Sequence, residues 1–128
     1  MSIHLHSVMV VVDDQDVALD FYCGVLGWTK TIDNMMGPNF RFITVHPPGH
    51  STGINLGQPH IAGRPSPGSD TPADAGINLV STDLLAECAE LKAKGVVFGQ
   101  DPEPMPWGGH GATFMDPFGN RFFITDAT

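Results

Sequence analysis

The hydrophobic and polar positions of the chain follow the same order twice. A β-branched run at residues 10–12 leads through an acidic pair into an apolar stripe of helical spacing that stops at Gly27. Residues 77–80 lead through Asp83 into a second stripe, which stops at Gly95. Aspartate favours helix N-termini, and glycine favours the residue just past a helix C-terminus. The repeat predicts a duplicated strand, cap, helix and stop, with a site between the two halves.

The first half predicts four strands and one helix. Residues 5–12 are mostly β-branched or apolar, and Asp13 or Asp14 is expected to cap the helix that follows. The helix is expected to pack on the sheet through a stripe formed by Val17, Ala18, Phe21, Tyr22 and Val25. Further strands are expected at residues 28–32, 40–45 and 52–56, separated by a loop at 34–38 and a turn at 47–49.

The middle of the chain changes abruptly in composition. Residues 57–76 are rich in Pro, Gly, Ser and Asp, and their prolines are expected to exclude any regular element. We therefore divide one domain into a first module at about 1–57, a linker at about 58–75 and a second module at about 76–128. The second module repeats the first, with a helix at 84–94 and strands at 77–80, 96–98, 111–115 and 120–125. The predicted fold class is α+β, with two tandem βαβββ modules.

Length and charge limit the function classes. With 128 residues, the chain suits one domain with one site. A formal charge of −8 repels phosphate backbones and anionic lipid, so neither nucleic acid nor membrane is expected as a partner. Cys23 and Cys88 indicate no disulfide framework. The chain has no long apolar run and its start lacks the features of a signal peptide, so we expect a cytoplasmic protein.

Two motifs carry a resemblance to a known family. The first is the spaced set Val12, Asp14, Ala18, Phe21, Tyr22, Leu26 and Gly27, and the second is the Asp-Pro-Phe-Gly-Asn turn at 116–120, preceded by Phe114. Together they resemble the vicinal oxygen chelate superfamily, which includes glyoxalase I, extradiol dioxygenases, fosfomycin-resistance thiol transferases and bleomycin-resistance proteins. The resemblance covers nearly the whole chain and implies a half-barrel of two modules, completed in a homodimer.

The resemblance also implies where a metal would bind. Metal-dependent members place His or Glu on the first and last strand of each module, and the corresponding residues here are Ser7, Asn55 or Gly53, Gly76 and Phe123. None is an ordinary ligand for a divalent ion, so we predict a protein with neither metal nor other cofactor. A shift of one residue would instead present His6 as a ligand. His110 is the best remaining candidate for a functional imidazole.

The expected site is lined by soft and aromatic side chains. Phe, Trp and Met suit flat conjugated ligands, and a few polar groups would fix the orientation of such a ligand. Phe21, Phe114 and Phe122 are assigned to the core instead, whereas Trp107 lies among Pro and Gly on a loop. The predicted ligand-binding residues are Ser7, Met9, Met35, Met36, Phe40, Phe42, Asn55, Trp107, His110 and Phe123.

These residues favour binding without catalysis. The pattern is similar to the bleomycin-resistance branch, which implies sequestration of an aromatic or glycopeptide antibiotic of the bleomycin, mitomycin or enediyne kind by a homodimer with two grooves. The alternative is a glyoxalase-like or dioxygenase-like enzyme, either metal-dependent or using His110 as a general base. A third hypothesis is a binder of a small metabolite that confers no resistance.

Overall fold

Two four-stranded sheets form the framework of the computed structural model, which describes residues 1–126. The chain divides into a first unit, Met1–Ser66, and a second unit that begins at Pro67. The first unit contains β1 (Ser7–Val11), α1 (Gln15–Leu19) with a π-helical continuation (Asp20–Val25), β2 (Thr29–Gly37), β3 (Phe40–His46), β4 (Gly53–Gly57) and α2 (Pro59–Ala62). The second contains β5 (Ala73–Val80), α3 (Leu84–Ala93), β6 (Val97–Pro104), β7 (His110–Met115) and β8 (Asn120–Thr125). None of the helices within residues 1–126 has the length and apolar character needed to cross a membrane.

Both sheets have the same internal order. The strands run β1-β4-β3-β2 in the first unit and β5-β8-β7-β6 in the second. In each unit the first and last strands pair in parallel, and the other pairs are antiparallel. The predicted α+β fold with two tandem βαβββ modules is therefore confirmed.

One face of each sheet forms the core of its unit. In the first unit the buried strand residues on this face are Val10, Ile43, Val45, Ile54 and Leu56, and Ala18, Phe21 and Tyr22 of the helical segment are buried as well. In the second unit the corresponding residues are Ala112, Phe114, Phe122 and Ile124, with Leu84, Cys88 and Leu91 of α3. Each fully buried large apolar side chain stabilises the fold by about 1.5–3 kcal/mol relative to an exposed one. The core assignment of the three phenylalanines is confirmed, whereas Val17 of the predicted stripe is exposed.

The two helices begin differently, although the sequence predicts the same cap for both. Asp14 caps α1, because its Oδ1 accepts hydrogen bonds from the amides of Asp16 and Val17. The side chain of Asp83 makes no such bond. The Ser81 hydroxyl accepts from the Asp83 amide instead and donates to Glu87 at 2.7 Å. Ser81 therefore makes the side-chain hydrogen bonds at the start of α3, where the sequence predicted a cap by Asp83.

The structure differs from the predicted elements in three stretches of the chain. Residues 34–37 belong to β2 rather than to a loop, because β2 and β3 form a hairpin whose turn is limited to Pro38 and Asn39. Strand β6 extends to Pro104, well beyond the predicted stretch. The proline-rich segment contains α2, whose Pro59 occupies the first helical turn, where a missing amide hydrogen costs nothing, and β5 begins at Ala73.

Candidate ligand-binding faces

The first sheet has a second side, opposite the core, which we call the first open face and define by Ser7, Met9, Phe42, Thr44 and Asn55. Strand register places these side chains together, since Met9 pairs with Asn55, and Asn55 pairs with Thr44. Met9 is 37% exposed, and Phe42 is partly exposed. Phe40 alternates onto the same side, and its ring meets that of Phe42 edge-on at 6.2 Å. The sequence-predicted residues of this unit therefore share one face, with the exception of Met35 and Met36.

Glycines in β4 allow side chains to lie flat on this face. A Cβ at Gly57 would approach the Met9 sulfur to 2.7 Å, and a Cβ at Gly53 would approach the His46 ring to 2.7 Å. Real Cβ atoms do not come so close to another heavy atom. The absence of a side chain at these two positions therefore makes room for Met9 and His46.

A chain of hydrogen bonds crosses the open face beside these glycines. The Thr31 hydroxyl lies 2.7 Å from His46 Nδ1 and 2.9 Å from the Thr44 hydroxyl, and His46 Nε2 lies 3.0 Å from the Ser51 carbonyl oxygen. Because a carbonyl only accepts, Nε2 carries the hydrogen, and Nδ1 accepts from Thr31. Thr44 then donates to Thr31. This series of hydrogen bonds fixes the orientation of the His46 ring and of the Thr31 and Thr44 hydroxyl groups.

The second open face, on the sheet of the second unit, is aromatic. It contains Asn78, Thr113 and Phe123, which the register places side by side. A Cβ at Gly111 would lie 2.8 Å from the Phe123 ring, so that ring also occupies space that a glycine leaves open. Trp107, which is 64% exposed, meets Phe123 at 6.4 Å between ring centroids and 63° between planes.

His110 does not join this face. It precedes Gly111 in β7, and alternate residues of a strand point to opposite sides, so His110 is directed away from the side that Phe123 occupies. Its Nδ1 lies 3.8 Å from Asp126 Oδ2, and its backbone amide donates to Asp126 Oδ1 at 2.7 Å. The imidazole therefore has an acidic neighbour that the sequence did not reveal.

Met35 and Met36 also depart from the expected arrangement. Both lie in β2 and not on a loop, and both are exposed. Met35 pairs with Arg41, whereas its neighbour Asn34 pairs with Phe42, so Met35 belongs to the side that bears Arg41. An irregularity in the pairing follows Met35 and takes Met36 out of register. The structure thus separates Met35 from the first open face.

Two ion pairs shift the ionisation of their members. Arg41 Nε donates to Asp33 Oδ1 and Arg41 Nη2 donates to Asp33 Oδ2, both at 2.9 Å. These hydrogen bonds hold the pKa of Asp33 well below its usual range and raise the pKa of Arg41. In the second unit Arg121 donates to Asp74 at 2.7 Å, which lowers the pKa of Asp74 and raises that of Arg121. All four side chains are charged at neutral pH.

The positions that the resemblance assigns to metal ligands carry no set of charged donors. The Ser7 hydroxyl is hydrogen-bonded to His6 Nδ1 at 3.0 Å, and the Phe123 ring contacts the Trp107 ring edge-on. Within residues 1–126, no three His, Cys, Asp or Glu side chains are grouped as a metal ion would require. Burial raises the pKa of both cysteine thiols, Cys23 and Cys88.

The sequence reasoning missed three residues beside these faces and one neighbour of His110. His46 and Thr31 belong to the polar chain of the first unit, Met105 approaches Gly111 beside Phe123, and Asp126 adjoins His110. The alternation of residues 42–46 could have indicated His46, which falls on the same strand face as Phe42. Nothing local marks the others, because each depends on which strands become neighbours.

Comparison with known proteins gives consistent matches. Residues 4–124 match the family described as Glyoxalase/Bleomycin resistance protein/Dioxygenase superfamily. A superfamily member from Sphaerobacter thermophilus is 39% identical, with a TM-score of 0.87 over 98% of both chains. TnmS3, an antibiotic binding protein from Streptomyces sp. CB03234, is 31% identical, with a TM-score of 0.83 over 100% of this chain and 99% of its own. YetH from Bacillus subtilis is 29% identical over 94% of this chain and 95% of its own length.

Proposed function

Because the chain belongs to the glyoxalase/bleomycin resistance protein/dioxygenase superfamily, we propose that it binds an aromatic or glycopeptide antibiotic and sequesters it without chemical change. The ligand class comprises compounds of the bleomycin, mitomycin or enediyne kind, and the biological result is resistance. The observation that carries the proposal is the exposed Trp107 ring set edge-on against Phe123. An exposed indole beside a half-buried phenyl ring gives a flat ligand a surface on which to stack.

The loop that bears Trp107 supports this role. The Met105 amide donates to the Gly109 carbonyl, and the Gly108 amide donates back to the Met105 carbonyl, both at 3.0 Å. Gly108 and Gly109 have φ values of 102° and 67°, which glycine adopts without strain. The loop is therefore a closed turn rather than a loose connection. An aromatic ring on a closed turn loses little conformational freedom when a ligand binds.

The first open face is a second surface on which we propose that such a ligand binds. Met9, Phe40 and Phe42 offer adaptable apolar surface, and Ser7 and Asn55 offer hydroxyl and amide groups for the few hydrogen bonds that orient a ligand. Met36 remains a candidate contact beside them, whereas Met35 lies on the other side of its strand. The relationship to TnmS3, an antibiotic binding protein, supports the ligand class.

Three further statements belong to the proposal. The protein acts as a homodimer, acts without a metal ion, and works in the cytoplasm, where reducing conditions suit the free thiols of Cys23 and Cys88. Light scattering during gel filtration tests the dimer, and elemental analysis after dialysis tests the metal. A monomer at micromolar concentration, or a stoichiometric divalent ion, would refute the corresponding statement.

The fluorescence of Trp107 tests binding directly. A Trp28→Phe background leaves Trp107 as the one tryptophan, and we expect its emission to change on titration with bleomycin, mitomycin or an enediyne. Trp107→Ala, assayed by calorimetry, should weaken binding by about two- to twelvefold, from the ~0.5–1.5 kcal/mol of an aromatic contact. Leu85→Ala, which truncates an equally exposed apolar residue on α3, is the matched control and should change nothing. If none of the compounds binds at micromolar concentration, the proposal is wrong.

A second function is favoured by one observation, the Asp126 carboxylate 3.8 Å from the imidazole of His110. An acidic neighbour can orient a histidine that acts as a general base, as glyoxalase-like or dioxygenase-like chemistry would require. Mass spectrometry of the ligand recovered from the protein separates the two functions. An unchanged mass supports sequestration. A changed mass that His110→Asn abolishes would establish an enzyme instead.

A further inference from the structure

A carboxylate borders the aromatic pair of the second open face. Glu103 of β6 pairs with Gly111 of β7. Residues that pair directly across an antiparallel ladder point to the same side of the sheet, with Cβ atoms about 4.5–5.5 Å apart. The place that a Gly111 Cβ would take lies 2.8 Å from the Phe123 ring and 2.6 Å from the Met105 methyl group. The Glu103 side chain is therefore directed to the side of the sheet that Phe123 and Trp107 occupy.

The charge of Glu103 is not compensated. Its carboxylate is exposed and makes no hydrogen bond or ion pair with any residue within 1–126. The lysine and arginine residues of the second unit each have a different acidic partner: Lys92 pairs with Asp101, Lys94 with Glu90 and Arg121 with Asp74. Arg121 lies two residues before Phe123 and shares its strand face, but Asp74 already neutralises it. A ligand on this face therefore meets one unpaired negative charge, that of Glu103.

Protection of the sheet edge does not explain this charge. Strand β6 is an edge strand, and edge strands often carry charges and prolines that discourage pairing with other chains. Pro102 and Pro104 lie on either side of Glu103, and neither has an amide hydrogen to offer another strand. The edge is therefore already protected by its prolines, and a carboxylate on the ligand-facing side adds nothing to that protection.

The indole of Trp107 favours the same kind of ligand. A cation over an aromatic face is attracted by the π electrons, and tryptophan is the most effective residue for this contact. Trp107 is 64% exposed and meets Phe123 at 63° between planes, so its ring remains accessible to a ligand. The turn that bears the ring is closed by hydrogen bonds between Met105 and Gly109 and between Gly108 and Met105. Ring and carboxylate thus both attract positive charge to one side of one sheet.

We propose that the second open face selects flat aromatic ligands that carry a positive charge, and that Glu103 is the residue that determines this specificity. The inference rests on the proposed binding of an aromatic ligand at Trp107 and narrows the ligand class to its cationic members. The charge of −8 on the whole chain draws cations toward the protein, and Glu103 supplies the local contact. Neutral compounds with the same rings stack on Trp107 without that contact.

Two flat probes of nearly equal shape test the proposal on the whole protein. N-methylacridinium is a permanent cation, whereas acridine is neutral at mildly alkaline pH. We expect calorimetry to show that N-methylacridinium binds about three- to thirtyfold more tightly, from an ion pair with Glu103 and a cation–π contact with Trp107. In nuclear magnetic resonance, both probes should shift the indole N–H signal that is missing from Trp107→Ala. Glu103→Gln should weaken N-methylacridinium binding about two- to fivefold, as loss of an exposed ion pair does, and should leave acridine binding unchanged.

Asp70→Asn is the matched control. It removes the same unit of charge from an exposed aspartate of the same unit, in a segment that is hydrogen-bonded to the turn before β8. Glu103 lies beside the other end of β8, where its partner Gly111 pairs with Thr125. The Asp70→Asn variant should therefore bind both probes as the wild type does.

The outcomes separate this inference from the proposed function. Equal weakening by Glu103→Gln and Asp70→Asn would mean that only the general field attracts the cation, and equal affinities of the two probes would mean that charge is not recognised. Either result would overturn the inference, while acridine binding that Trp107→Ala weakens would still support the proposed function. If neither probe binds, or if Trp107→Ala binds both as the wild type does, the aromatic pair is not a stacking surface and both proposals are wrong.

Discussion

Two glycine-to-alanine substitutions on β4 should have very different costs, although both glycines are buried on the same strand face. Gly53 and Gly57 lie four residues apart in β4, and neither has a positive φ. The backbone therefore accepts alanine at both positions without strain. The difference comes from what the new methyl group would meet.

At Gly57 the methyl group meets only a flexible side chain. It would lie 2.7 Å from the Met9 sulfur and 2.9 Å from Met9 Cγ, and Met9 is 37% exposed and can rotate away. A strained or altered rotamer costs about 0.5–1.5 kcal/mol. The reduced freedom of the unfolded chain offsets about 0.4–1 kcal/mol of that cost. We expect the free energy of unfolding of Gly57→Ala to stay within about 1 kcal/mol of the wild type.

At Gly53 the methyl group meets the backbone. It would lie 2.6 Å from the Val45 carbonyl oxygen, in addition to its clash with the His46 ring, and the paired strand cannot rotate aside. Overpacking of this kind costs about 1–3 kcal/mol, and displacing the ring also breaks its hydrogen bond to Thr31, worth about 1 kcal/mol. After the same unfolded-chain offset of about 0.4–1 kcal/mol, we expect Gly53→Ala to lose about 1–3.5 kcal/mol of unfolding free energy.

Urea unfolding followed by circular dichroism measures both values. With a denaturant slope of about 2 kcal/mol per molar, in the middle of the usual range, Gly53→Ala should lower the midpoint by about 0.5–2 M and Gly57→Ala by less than about 0.5 M. Equal midpoint shifts, or a larger shift for Gly57→Ala, would show that the glycines do not make room in the manner described. Gly57→Ala should still weaken the proposed binding of an antibiotic, because it moves Met9 off the first open face.

Further expectations follow from the ion pairs, caps and thiols. Because Arg41 lowers the pKa of Asp33 in the folded protein, their pairing stabilises fully above the ordinary carboxyl pKa of about 4 and is lost as the pH falls below it; Asp33→Asn should flatten the acid side of the stability curve. Asp14→Ala should cost about 1 kcal/mol in urea unfolding and Asp83→Ala much less, since only the first carboxylate caps its helix. The buried thiol of Cys88, whose pKa is raised, should react with a disulfide reagent only after denaturation.

Local sequence signals predicted the parts of the fold that local physics decides. The acidic cap, predicted at Asp13 or Asp14 and found at Asp14, the glycine stop at Gly95 with its φ of 89° and the buried Phe114 each follow from residues within one turn or one strand period. The strand conformation of residues 34–37 could not be predicted from such local signals. A segment of polar and flexible residues became strand because the hairpin partner beginning at Phe40 offered it hydrogen bonds.

The candidate site was predictable only where strand alternation decides direction. Alternation within a strand places Ser7 with Met9 and Phe40 with Phe42, and that much is visible in the sequence. That Met9, Phe42 and Asn55 share a face depends on the register between their strands. The neighbour of His110 was not visible, because Asp126 lies beyond the end of a different strand and meets the histidine through the β7–β8 register. The separation of Met35 from the first open face depends likewise on its pairing with Arg41.

The glycines of the open faces also affect the outcome of substitutions at neighbouring positions on these faces. Gly111 leaves room for the Phe123 ring and the Met105 methyl group, and a Cβ there would lie 2.8 Å and 2.6 Å from them. The aromatic residue and its glycine are therefore coupled, because neither can change in size without moving the other. The same coupling joins Gly57 to Met9. A relative that carries a larger residue at either glycine position must hold its partner side chain elsewhere, so it should present a different surface to a ligand even where the binding residue itself is kept.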